Sequence, residues 1–321
     1  MSQMSFYMMC SMMMLFLVII LMMVSVAFLT LFERKIMGIF HYRKGPNKIG
    51  LTGFLQPFSD AMKLLSKEFF LPFKSNSIIY ILSPMFMLIL MILMWMIYPF
   101  FSNLLSFNLN TLFFLTIMSM GVYSLMLMGW SSNSSFSMLG AIRSIAQSIS
   151  YEVIFAITLL IIMNMINSMN IFYLTKFSKF LILILLFYPI SFILMISILA
   201  EINRTPFDLS EGESELVSGF NVEYGSSKFT LIFLSEYSSL LFMMFIFNLI
   251  FFNNNLLSFL FYMNLILMIF ILTWIRVTLP RIRYDKLMFF CWFFLLPFSL
   301  INYSMYLTMV KLPMDLFFFS S

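Results

Sequence analysis

The chain has 321 residues, of which 62% are hydrophobic and only 10% charged, with a mean hydropathy of +1.02. A soluble domain carries about a quarter charged residues, so this chain cannot cover a globular surface with polar groups, and a water-soluble enzyme is excluded. Net charge is +5, from 18 basic and 13 acidic side chains, and acquires meaning only once the charges are placed along the chain.

At roughly 20 apolar residues per crossing, the length accommodates about eight helical spans with short connections. Apolar runs predict spans near 6–32, 78–101, 109–130, 145–166, 180–200, 229–252, 256–280 and 287–310. A membrane β-barrel needs alternating polarity, and these runs do not alternate. The expected fold class is therefore an all-α membrane protein, one polytopic domain over residues 1–321 without an internal repeat. The chain opens directly into an apolar run, with no basic leader and no small-residue cleavage site, so no removable targeting peptide is expected.

The first connection, 33–77, opens on Glu33, Arg34 and Lys35. Further along, Leu55, Phe58, Met62, Leu65 and Phe69 recur at steps of three and four, with Asp60, Lys63 and Lys67 between them. That pattern predicts an amphipathic helix at the membrane surface near 52–70, serving as a packed cover on the bundle, as a wall for a ligand, or as both. Gly45, Gly50 and Gly53 superficially resemble a phosphate loop, but no strand precedes them and the spacing is wrong. His41 is the lone histidine, and Cys10 and Cys291 sit in separate apolar runs. Neither a metal site, a haem, an iron–sulfur cluster nor a disulfide framework is suggested, so electron carriers, if any, belong to other subunits.

The second connection, 131–144, carries Arg143, and nine residues later Glu152 lies inside an otherwise apolar span, as Glu236 does further on. An ionised group there costs several kcal/mol unless paired or wetted, and such residues mark ion or proton paths or are buried carboxyls bonded for packing. Arg143 and Arg276 are the candidate charge partners. The third connection, 201–228, holds Glu201, Asp208, Glu211, Glu213, Glu215 and Glu223 against only Arg204 and Lys228. Thr205, Pro206 and Asp208 resemble a helix start. Carboxylates spaced two apart cannot all ionise cheaply in a partly dry site, so this loop either exchanges protons or docks, solvated, on a basic partner. The fourth connection is 281–286.

With an even number of spans both termini lie on one side. The opposite side receives the four connections and Arg276, and with them fifteen of the 18 basic residues, leaving only Lys176, Lys179 and Lys311 with the termini. The positive-inside rule then turns the four connections to the cytoplasm or the mitochondrial matrix. The 43 Phe and 33 Met go beyond what a bilayer requires. They point to an A/T-rich organellar genome that reads ATA as Met, or to compositional drift in a bacterium.

Four stretches carry a resemblance. Glu33-Arg34-Lys35 followed by RKGPNKIGLTGFLQPFSDAMKLLSKE (43–68), SISYEV (148–153), AEINRTPFDLSEGESELVSGFNVEY (200–224) and WIRVTLPRIRYDKLM (274–288) resemble, in order, the chain 1 family of respiratory NADH:ubiquinone oxidoreductase, complex I. The resemblance covers essentially the whole chain. It implies an eight-helix bundle of the mitochondrial inner membrane, termini on the intermembrane-space side, between a peripheral redox arm and a membrane pumping arm. It implies that ubiquinone is reduced in a tunnel whose membrane part this subunit forms, and that protons move in response. NADH, FMN and iron–sulfur clusters are implied in other subunits, with membrane lipids as neighbours and no nucleic acid.

By the same resemblance Glu33, Arg34, Arg276 and Arg281 line the quinone tunnel. Asp208, Glu211, Glu213 and Glu215 form an acidic coupling loop, and Glu152, Glu201, Glu223 and Glu236 a proton relay. Two other readings stay open: a related subunit of an energy-converting hydrogenase or a plastid plastoquinone-reducing complex, and a self-contained transporter. The lack of a visible inverted repeat stands against the transporter.

Overall fold

A computed structural model describes residues 2–99, 107–174, 183–209, 219–252, 256 and 258–318. Among them the regular structure is helical throughout. The helices are α1 (Ser2–Phe40), α2 (Gln56–Leu65), α3 (Ser77–Trp95), α4 (Asn110–Ser131), α5 (Ser135–Ile166), α6 (Tyr188–Glu201), α7 (Ser226–Phe251) and α8 (Phe259–Thr278). The last, α9, runs through Tyr284–Phe289, a π-helical stretch Phe290–Leu295 and Leu296–Phe318. Seven of the described helices are long and apolar enough to cross a membrane, which makes this an all-α membrane protein.

The span expected near 180–200 is represented by α6, an apolar helix of 14 residues, preceded by one turn at Leu183–Leu186. At 1.5 Å per residue α6 reaches about 21 Å, less than the hydrocarbon core. Residues 180–182, the start of the expected span, lie outside the described residues, as do Glu211, Glu213 and Glu215.

Several helix ends differ from the expected ones. Helix α1 does not stop at Phe32 but continues to Phe40, so Glu33, Arg34 and Lys35 stand on a helix and not in a loop. Helix α5 starts at Ser135, which puts Arg143 on it, and α7 starts at Ser226, which takes in Lys228. The reason is common to all three: charge marks where the membrane ends, whereas Arg, Lys and Glu are good helix formers and do not end a helix. Helix α1 gives way to a turn in which the chain folds back on it. A Cβ on Gly38 would stand 2.8 Å from the Gly45 backbone nitrogen, so only a pair of glycines permits this approach.

Helix α2 is amphipathic as expected but only 10 residues long. It starts after Thr52 and Gly53, both at positive φ, a conformation that breaks a helix. Its apolar stripe is only partly covered by the bundle: Leu55, Phe58, Met62, Leu65 and Phe69 keep much of their surface exposed on this chain, and Pro57 is the buried residue. An edge-to-face contact between Phe28 and Phe58, with centroids 6.0 Å apart, holds α2 against α1.

In the bundle α7 is the central helix, touching α1, α3 and α8, while α5 touches α4, α6 and α9. Phe242, Phe245 and Phe251 on α7 and Tyr151, Ile154 and Phe155 on α5 lie at the heart of one core. Phe114 of α4 bridges the two, with its ring 5.5 Å from Phe155 and 5.7 Å from Phe242. Lipid is as apolar as leucine, so close packing and polar contacts rather than water exclusion hold such helices together. The chain after the acidic loop packs on α5 through a second glycine pair: a Cβ on Gly140 would lie 2.9 Å from the Gly219 Cα.

Candidate functional site

Glu33 follows the long apolar stretch of α1, and its carboxylate points inward, 2% exposed. Burying a carboxylate is costly unless charges and hydrogen bonds compensate. Three other elements supply them. The Tyr237 hydroxyl, on α7, donates to Glu33 Oε2 at 2.6 Å. Arg276, in the last turn of α8, donates to Oε1 through Nη1 in an ion pair. Arg204, just past α6, brings its Nη1 to 3.8 Å from the same Oε1. The Arg204 guanidinium lies 4.3 Å over the Tyr237 ring and donates to its hydroxyl at 3.4 Å, so the pair stacks and bonds at once.

Arg204 is itself buried. Burial works against its charge, yet Tyr237, Glu33 and Glu236 together hold its pKa above the ordinary arginine value. The guanidinium is permanently charged. Its position is set by Gln147 of α5, fully buried, whose amide donates to the Ala200 and Phe207 carbonyls, both at 2.8 Å. These bonds clamp the turn from Glu201 to Asp208. The expected helix start at Thr205 is not found: residues 205–209 form a turn with a cis Thr205-Pro206 peptide. The backbone there is committed to tertiary partners, because the Ile282 amide donates to the Pro206 carbonyl at 3.1 Å. Beside that bond Arg281 and Asp208 form an ion pair of 2.8 Å.

The four expected tunnel residues thus divide into three places. Glu33 and Arg276 meet directly, so Arg276 is the partner of Glu33 rather than of Glu152 or Glu236. Arg281 binds Asp208. Arg34 turns away from Glu33, since successive helix residues point about 100° apart, and stands exposed in a 2.5 Å ion pair with Asp60 of α2. Asp60 also accepts a bond from Gln56 at 2.9 Å. An exposed pair of this kind adds at most about 1 kcal/mol of stability, but it fixes α2 to the end of α1.

Of the expected relay residues, Glu152 on α5 and Glu201 at the end of α6 lie within electrostatic reach of each other, both half-buried. Glu201 and Glu236 line one cavity of about 60 Å³ together with Arg204. Glu223 stands apart, at the approach to α7. Its backbone carbonyl accepts the Tyr80 hydroxyl, and the Tyr80 ring stacks on Tyr224 at 4.4 Å. Tyr237, Arg204, Gln147 and Asp60 were not among the expected site residues. Tyr237 carried one usable signal, its place beside Glu236 in an apolar span. Gln147, within a serine-rich stretch, carried none.

Residues 12–307 match the family model described as NADH dehydrogenase. The chain is 52% identical over 290 residues to NADH-ubiquinone oxidoreductase chain 1 of Aedes aegypti, covering 90% of this chain and 92% of that protein. It is 51% identical over 278 residues to the protein of the same name from Locusta migratoria, covering 87% and 88%. It is 45% identical over 285 residues to that of Balaenoptera physalus, covering 87% and 90%.

Proposed function

The chain belongs to the NADH dehydrogenase family, among the NADH-ubiquinone oxidoreductase chain 1 proteins, and from that premise we propose that it forms the membrane part of a ubiquinone tunnel and passes the effect of quinone reduction to a chain of buried carboxylates. As a core membrane subunit of complex I it works with redox subunits that deliver electrons from NADH through FMN and iron–sulfur clusters, and with the subunits of a pumping arm.

One observation carries the reading. Glu33, buried, and Arg276, partly exposed, form a paired charged centre where the apolar run of α1 ends. A quinone has a small polar head on a long apolar tail, and an apolar run ending in fixed charges suits it. Reduction of the head takes up two protons, so charges beside it must respond to the change. Glu201, Glu152 and Glu236 supply carboxylates further in, and the Asp208–Arg281 pair anchors the acidic loop.

Arg34→Ala tests the tunnel wall. With its link to Asp60 gone, α2 loses its register on α1, and quinone turnover is expected to fall several-fold. NADH oxidation by a hydrophilic artificial acceptor, which bypasses the tunnel, is expected to stay at the wild-type rate in assembled enzyme. Equal loss of both rates would assign Arg34 to assembly instead.

The asymmetry of fifteen basic residues against three supports an orientation in the mitochondrial inner membrane with both termini in the intermembrane space. A membrane-impermeant lysine reagent applied to sealed mitoplasts is then expected to leave Lys44 and Lys286 unmodified and to label them once the membrane is opened. Labelling before opening would reverse the orientation.

A further inference from the structure

Lys228 is the third residue of α7 and is 6% exposed. Two things oppose a cation there. The first turn of a helix is the positive end of its dipole, and a buried ammonium needs acceptors for its three donors. Yet Nζ has no hydrogen-bond partner among the described residues. What faces it is aromatic: Nζ lies 3.8 Å from the centre of the Phe69 ring and 4.1 Å from that of Tyr80. Both distances are well inside the range of cation–π attraction, which is strongest for a desolvated ammonium. A methionine would fill the same space without the cost of the charge, so packing alone does not call for lysine.

The two rings are held very differently. Tyr80, on α3, is fully buried; its hydroxyl donates to the Glu223 carbonyl and its ring stacks on Tyr224 at 4.4 Å. The Tyr224 hydroxyl in turn lies 3.1 Å and 3.0 Å from the hydroxyls of Ser83 and Ser131. Phe69 stands on the non-helical connection between α2 and α3 and keeps nearly half its surface exposed. The far end of that connection is tied down, since the Asn133 amide donates to the Lys74 carbonyl at 3.1 Å and the Asn76 amide to the Ser131 carbonyl at 3.0 Å. Between Ser66 and Lys74, the ring contact that reaches another element, among the described residues, is that of Phe69 with Lys228 and through it Tyr80; Phe70 and Phe73 pack edge to face on each other.

Helix α2 touches α1 on one side and α7 on the other. Asp60 and Phe58 attach it to α1. Phe69, the last residue of its apolar stripe, meets α7 at Lys228. We propose that Lys228 is a positioning residue for quinone entry: its ammonium clamps Phe69 against the fixed Tyr80 and so holds the α7 side of α2, as Arg34 holds the α1 side. The inference rests on the tunnel reading, in which α2 is part of the wall. The Glu33–Arg276 centre is untouched by this clamp, so its loss falls on access and binding of the quinone and not on the chemistry of the head.

The test is NADH:quinone reduction by assembled enzyme in proteoliposomes with a long-chain isoprenoid quinone, normalised to the hydrophilic-acceptor rate. Lys228→Met keeps the apolar stem and removes the charge. It is expected to raise the KM for quinone about three- to tenfold with kcat kept, the pattern of lost binding rather than lost chemistry. Phe69→Leu, on the exposed side of the contact, is expected to raise KM alike and to add nothing to Lys228→Met, because the two act as one unit; it also tests the clamp alone should Lys228→Met fail to assemble. An unchanged KM, a fall in kcat alone, or additive shifts would overturn the proposal. Arg34→Ala in the same assay separates the failures. A raised KM there beside an unchanged Lys228→Met would sink the clamp alone, whereas an unchanged KM in both would sink the tunnel wall beneath it.

A second measurement needs no variant. A structure of the intact enzyme is expected to keep Lys228 Nζ between the Phe69 and Tyr80 rings. A carboxylate or lipid phosphate oxygen within about 3 Å of Nζ in place of Phe69 would assign the lysine to that ligand and overturn the clamp.

Discussion

Glu33→Gln is expected to lower quinone-dependent NADH oxidation about 30- to 100-fold in assembled enzyme, with the hydrophilic-acceptor rate preserved. The amide keeps the size of the carboxyl and part of its hydrogen bonding, so the bond from Tyr237 survives in weakened form. The charge does not. Arg204 and Arg276 are left facing each other across a neutral group in a buried site. Removing one member of a buried ion pair costs about 3–5 kcal/mol, because the remaining charges stay desolvated. Much of that is recovered by the arginines relaxing toward water or toward other carboxylates, and such movement displaces the charges that the proposed tunnel holds out to a quinone head. A residual loss of about 2–3 kcal/mol in the barrier corresponds to the stated range. Glu33→Gln with near-normal quinone turnover would show that the cluster only holds α1, α7 and α8 together.

The helical membrane class was legible because bilayer thickness imposes a run length that hydropathy reads directly. Helix ends were not, since α1 runs on to Phe40 and α5 begins at Ser135, through residues whose charge speaks about water and not about backbone. The individual charges of the site were visible too: Glu236 inside an apolar span, Arg276 near a span end, and Glu33 and Glu201 within the charged connections. Their pairing was not. Glu33 and Arg276 lie 243 residues apart, and no local pattern links them, whereas Arg276 was equally plausible as a partner for Glu152.

Arg204 read as one of two cations offsetting an acidic loop, a role that gives no hint of burial over an aromatic ring. Tyr237 was concealed among the 14 tyrosines of the chain, where a ring in a span signals packing before it signals a hydroxyl bonded to a carboxylate. The self-contained transporter, one alternative left open by the residues alone, gives way to the match with oxidoreductase subunits over 90% of the chain.

Glu152 carries the second large effect. It lies within α5, half-buried, in electrostatic reach of Glu201, in a span where leucine would have served packing equally well. Its carboxyl can bind and release a proton, and an amide cannot. Glu152→Gln is therefore expected to slow coupled quinone reduction at least about tenfold in enzyme that assembles normally, equivalent to about 1.4 kcal/mol in the barrier. Glu152→Asp keeps the proton but shortens the reach by one methylene, and is expected to retain part of the activity. The central claim is that this chain joins quinone reduction to proton movement through its buried carboxylates. The measurement that meets it most directly is the number of protons translocated per quinone reduced by the Glu152→Gln enzyme in sealed vesicles. Loss of translocation is the predicted result; a wild-type ratio at a wild-type rate would contradict the claim and leave Glu152 a packing residue.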